Sequence, residues 1–162
     1  MKRLFILILT VTCYSSCMSQ ASRVQKAQAF FTMSVPGMQH VDDNGNRVAA
    51  EPIIERFIYL ECKSNTKPVI DSVWYNNTLF IATVANEEEK ASSAGIKYDS
   101  GKPALLNTKK GNHTWKVELV QSGNKTLPHE SVKKILIKGK VDQVKFNYII
   151  STEIQLSTFD RP

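Results

Sequence analysis

Cysteine, histidine and tryptophan are scarce in this chain: three, three and two respectively among 162 residues. Three cysteines cannot build the dense disulfide framework by which many small secreted domains hold together. The histidines, His40, His113 and His129, lie far apart, whereas metal sites usually show closely spaced ligand pairs. The sequence therefore predicts no metal centre and no cofactor. Also missing are a phosphate-binding loop, a dinucleotide fingerprint and the Gly-x-Ser-x-Gly elbow of hydrolases. Ser100-Gly101-Lys102-Pro103 contains a Gly-Lys pair but not the glycine that would precede it. No apolar run approaches the roughly 20 residues that a membrane-spanning helix needs. Between residues 97 and 145 there are eleven lysines, four acids and no arginine. Arginine is the usual reader of phosphate geometry, so the basic balance of this half does not predict a nucleic-acid partner.

What is present begins at the N-terminus. Lys2 and Arg3 precede the apolar run Leu4–Thr12, the charge-then-apolar order of a cleavable export signal. Ser15-Ser16-Cys17 then places small residues just before a cysteine. This resembles the lipobox of bacterial lipoproteins, with Tyr14 where leucine is usual. The resemblance implies that Cys17 is acylated on sulfur and becomes the first residue of the mature chain. It also implies an outer-membrane destination, since no aspartate follows Cys17. The alternative is ordinary cleavage between Ser15 and Ala21 and simple secretion. The expected organisation is a signal over 1–16, a polar tether over 17–27 and a single β domain over 28–160. On this reading Cys13 leaves with the signal and Cys17 carries lipid, so Cys62 has no bridge partner and is expected to be buried as a small apolar side chain. Without lipidation, a Cys17–Cys62 bridge becomes open to the chain.

The remainder is punctuated by short apolar runs separated by Asn, Asp, Gly and Pro, the pattern of strands and turns. Strands are predicted over 29–35, 53–61, 68–75, 78–84, 113–120, 134–140, 144–150 and 152–157. Asn76-Asn77 and Asp142-Gln143 are predicted as two-residue hairpin turns, Asp42–Asn46 as a looser turn, and 85–102 as a polar loop. In 113–120, Trp115, Val117 and Leu119 share one face; in 144–150, Val144, Phe146, Tyr148 and Ile150 do. Apolar groups on both faces make 53–61 a central strand. The expected fold is mostly β, an antiparallel sandwich of about 7–8 strands.

Pro68–Tyr75 and the stretch from Lys138 to Leu156 resemble segments of small uncharacterised envelope lipoproteins of Bacteroidetes-type bacteria. The resemblance implies a cell-envelope β domain and transfers no active-site residue. Trp74 and Tyr75 point to opposite faces of their strand and are the candidate ligand-binding residues. No catalytic residue is predicted. The leading expectation is a non-enzymatic lipoprotein tethered to the membrane through Cys17, serving protein interaction or structural support. One alternative is a glycan- or anionic-polymer-binding module using Trp74 or Tyr75 and the lysine-rich half. Another is a small secreted hydrolase drawing carboxylates from Asp42-Asp43 or Glu87-Glu88-Glu89, which would have to converge in one groove.

Overall fold

A computed structural model of the chain describes residues 23–35, 40–41, 43–44, 47–48, 52–85, 92–121 and 134–158. These residues form twelve strands and no helix. In chain order they are β1 (Val24–Ser34), β2 (His40–Val41), β3 (Arg47–Val48), β4 (Ile53–Cys62), β5 (Val69–Tyr75), β6 (Thr78–Val84), β7 (Ser93–Ile96), β8 (Pro103–Leu105), β9 (His113–Gln121), β10 (Ile135–Val141), β11 (Val144–Ile150) and β12 (Glu153–Leu156). Eight of them make one sheet in the order β11-β10-β5-β6-β9-β4-β1-β12, while β2-β3 and β7-β8 form two small ribbons. Neighbours in the large sheet run antiparallel except β1 and β12, which pair in parallel from Ala29↔Glu153 to Thr32↔Leu156.

The sheet curls on itself until Cα atoms of β11 and β1 come within 8 Å. Its two halves thus face each other over a common core, as the layers of a sandwich do. The concave face carries Ile58, Leu60, Val73, Tyr75, Val117, Ile135 and Ile137, each fully buried. Their alternation along the strands follows from the two-residue period of a pleated strand. In β9 the buried residues are Trp115, Val117 and Leu119, the face its alternation predicts.

The hairpins follow from their turns. Asp142 and Gln143 both adopt positive φ, 50° and 63°, which matches the right-handed twist of the flanking strands. Asn76 also has positive φ, and its side-chain oxygen accepts from the Lys134 amide at 3.2 Å. This ties the β5–β6 turn to the start of β10.

Two features depart from the sequence expectations. β1 begins at Val24, so residues 24–27 of the expected tether belong to a strand that pairs with β4. The expected polar loop over 85–102 contains β7, which pairs with β8. This ribbon lies over the convex face at one end of the sheet. There Ala104 and Leu106 pack with Phe30 and Leu156, flanked by Phe57, Tyr59, Ala94 and Ile154. Phe30, Phe57 and Tyr59 form a mutual ring cluster with centroids 5.8–5.9 Å apart. The ribbon is fastened to β12 by Tyr98 N donating to Gln155 O at 3.0 Å and Ser157 N donating to Ile96 O at 2.8 Å. Convex-face cover is thus present over β4-β1-β12.

Candidate functional site

The other end of the convex face carries apolar groups that face solvent. Cross-strand partners in a sheet point to the same face, so the register aligns them. Ile149 is opposite Leu136, Leu136 is opposite Trp74, and Trp74 is opposite Leu79. Two residues along β6 from Leu79, Ile81 is opposite Val120. The result is a ladder across β11, β10, β5, β6 and β9. Ile149, Ile81 and Val120 are 56%, 57% and 62% exposed. At strand spacings of about 4.8 Å, the four-strand row from Ile149 to Leu79 is roughly 15 Å long. Apolar residues scattered singly on a surface are ordinary, whereas large contiguous patches are where partners or membranes commonly dock.

Further along the same strands and on the same face are lysines. Lys138 lies opposite Asn147, and Lys140 lies directly opposite Lys145. Like charges placed opposite each other across two strands repel. Among the described residues, none of Lys138, Lys140 and Lys145 forms an ion pair, in contrast to Arg23 with Asp142, Arg56 with Glu153 and Lys116 with Glu118. Asp142, in the turn between Lys140 and Lys145, is already engaged. Hydrogen bonds from Thr66 and Ser64, helped by Arg23, hold its carboxyl below the usual aspartate value. Within β5, β10 and β11 themselves the one acid is Asp71. It is the extra residue where the β5–β10 register shifts, between the pairs Lys138↔Ser72 and Gly139↔Ile70.

A separate polar cluster lies inside the curl. Arg56 forms an ion pair with Glu153, and the two side chains are only 8% and 4% exposed. The guanidinium is 5.4 Å from the centroid of Phe31 and 5.2 Å from that of Tyr75. The Tyr75 hydroxyl and Glu153 Oε1 are buried without a hydrogen bond of good geometry, although they are close enough to influence one another's ionisation. Burial, outweighing Arg56, holds the Glu153 carboxyl above the ordinary glutamate value. Burial likewise pushes the Tyr75 phenol far above its normal range. Sequence reading gave no sign of this cluster: Arg56 and Glu153 are 97 positions apart, and each sits where strand alternation also admits a surface charge.

Glu61 is buried on the convex face, where it accepts hydrogen bonds from the Lys109 amide at 3.0 Å and from Asn112 Nδ2. It thereby pins the loop between β8 and β9. Beside it is a shallow, solvent-open hollow lined by Lys26, Gln28, Tyr59, Thr108 and Thr114 among others, with nothing of the enclosure that small-molecule pockets have. Cys62 is fully buried as a free thiol, and burial first, then Asp142 and Glu61, pushes it up to about 12. A thiol held neutral in this way is a poor nucleophile.

The structure separates the two candidate ligand-binding residues. Trp74 is 36% exposed at the middle of the ladder, whereas Tyr75 is completely buried against Phe80, with ring centroids 5.0 Å apart. Trp115 is in the core. Cys17, Glu87-Glu88-Glu89 and His129 lie outside the described residues, as does Asp42. No group of three or more His, Cys, Asp or Glu side chains among the described residues is arranged to hold a metal ion. Comparison with protein families, with curated proteins and with solved structures found no match.

Proposed function

We propose that this chain is a non-enzymatic cell-envelope lipoprotein: a β domain tethered through acylated Cys17 that acts by presenting its bare convex face to a partner. The observation that carries the binding role is the in-register ladder Ile149–Leu136–Trp74–Leu79, which leaves apolar area exposed while the opposite end of the same face is covered by β7-β8. The tether rests on the charged and apolar N-terminus and on Ser15-Ser16-Cys17. A protein expressed with its own signal in a Gram-negative host should yield an N-terminal peptide that starts at Cys17 and carries the mass of its acyl chains. A peptide starting elsewhere, with an unmodified thiol at Cys17, would remove the tether from this reading.

A second reading is favoured by Trp74 and its neighbouring lysines: a module that binds glycans or anionic polymers, with the indole as a stacking surface. Glycan titration should then change Trp74 fluorescence, and a flat response across a broad panel would exclude it.

A further inference from the structure

We infer that the bare convex face docks on an anionic phospholipid leaflet, with the ladder at the level of the headgroups and Lys138, Lys140 and Lys145 against the phosphates. This rests on the tethered-lipoprotein reading and names the partner of its face.

Three observations converge on a lipid surface. The first is chemical pairing on one face. Aliphatic groups and an indole lie beside unpaired lysines, the combination by which peripheral proteins sit in the interface of an anionic bilayer. Trp74 is suited to that level because its ring is apolar and its N–H is polar. The second is the Lys140↔Lys145 pair. Two ammonium groups held opposite one another lower the stability of the free protein, and a layer of phosphates would relieve that repulsion. The local acid that could have relieved it, Asp142, is held instead by Ser64, Thr66 and Arg23.

The third observation is where the chain enters the fold. Arg23, 3.9 Å from Asp142, lies at the turn that joins Lys140 to Lys145. Only six positions separate Cys17 from Arg23, a covalent reach of at most about 20 Å. A bilayer that holds lipid on Cys17 is therefore within reach of the lysine end of the face.

The test uses the chain matured in its host and reconstituted in vesicles containing brominated phospholipid, with Trp74 fluorescence as the reporter. The W74F variant, which retains Trp115 in the core, identifies the Trp74 component. On vesicles rich in phosphatidylglycerol, Trp74 should blue-shift and be quenched; on phosphatidylcholine alone it should not. Each interfacial lysine contributes about 1 kcal/mol, so K138Q/K140Q/K145Q should lower the docking equilibrium constant by on the order of a hundredfold. Raising the salt to about 0.5 M should act in the same direction.

Unquenched Trp74 on a protein that its acyl chains still hold to the vesicles would overturn the docking and leave the tether intact. Quenching that the lysine variant retains in full would also overturn it. If Cys17 carries no acyl mass but Trp74 is still quenched on anionic vesicles, the docking stands and the tether does not. If Trp74 is instead shielded from aqueous quencher in a way that grows with protein concentration, without lipid, the face is occupied by a second copy and the inference fails.

Discussion

At the scale of single residues, the most consequential arrangement is the pairing of Arg56 with Glu153 inside the curl. A buried ion pair costs solvation that its attraction only partly returns, but removing one partner leaves an uncompensated charge. Arg56→Met should therefore destabilise the fold by about 3–5 kcal/mol, and Arg56→Met with Glu153→Leu should recover much of that loss; denaturant melts of the two variants measure both. The carboxyl also gives stability a pH signature. Because burial raises the Glu153 value in the folded state, the folded chain holds that proton to higher pH than the unfolded chain does. Stability therefore falls as pH rises from the ordinary glutamate range through the folded value. Asp142, whose value is lowered, has the opposite sign, and its contribution is lost as pH falls. The difference between wild type and Glu153→Gln isolates the first effect, and should decline with rising pH in melts taken between about pH 4 and pH 7. A difference that stays flat or grows would contradict it. None of this was legible in the sequence, because strand periodicity reports which face a residue takes and not which distant strand lies opposite.

At the scale of elements, alternation and turn chemistry made most of the large sheet readable. The two hairpins with Asn76-Asn77 and Asp142-Gln143 form as their turn residues predict, and β4 is central, between β9 and β1. β7 and β8 escaped notice because they are four and three residues long, too short for a period to establish itself, and lie in Ser-, Gly- and Lys-rich text. Their shape is set by local contacts, such as the Ser93 hydroxyl bonding to Gly95 and Ala104 carbonyls. Gly139 is where an element tolerates no side chain. A Cβ there would be 2.3 Å from Val69 O and 2.9 Å from Phe146 Cζ, so β5 and the Phe146 ring would have to separate. Gly139→Ala should cost about 1–3 kcal/mol or more, with hydrogen-exchange protection lost first along β5 and β10. Trp74 illustrates the limit of sequence reading for the site. Alternation separates it from Tyr75, but the ladder it belongs to exists only through pairings among five strands.

At the scale of the whole molecule, one core joins β1, β4, β5, β9, β10 and β11 through residues such as Ala29, Leu60, Val73, Val117, Ile135 and Phe146. Cys62 is in that core and fully buried, so access to its thiol requires the sheet to open. Native protein at pH 8 should resist alkylation at Cys62, and mild denaturant should accelerate the reaction in step with global unfolding as followed by circular dichroism. Rapid labelling without denaturant would show that the β4 end opens by itself. The arrangement of the first and last strands bears on the order of folding. β1 takes one set of partners from β4, a short distance downstream, and the other from β12, from Ala29↔Glu153 onward. Loop closure over so long a separation is slow, and Glu153 brings the counter-ion that Arg56 needs. Until β12 arrives, Arg56 is a lone buried-type cation and β1 keeps an open edge. Closure of the sheet onto β1 and neutralisation of Arg56 are thus one event, and both wait for β12.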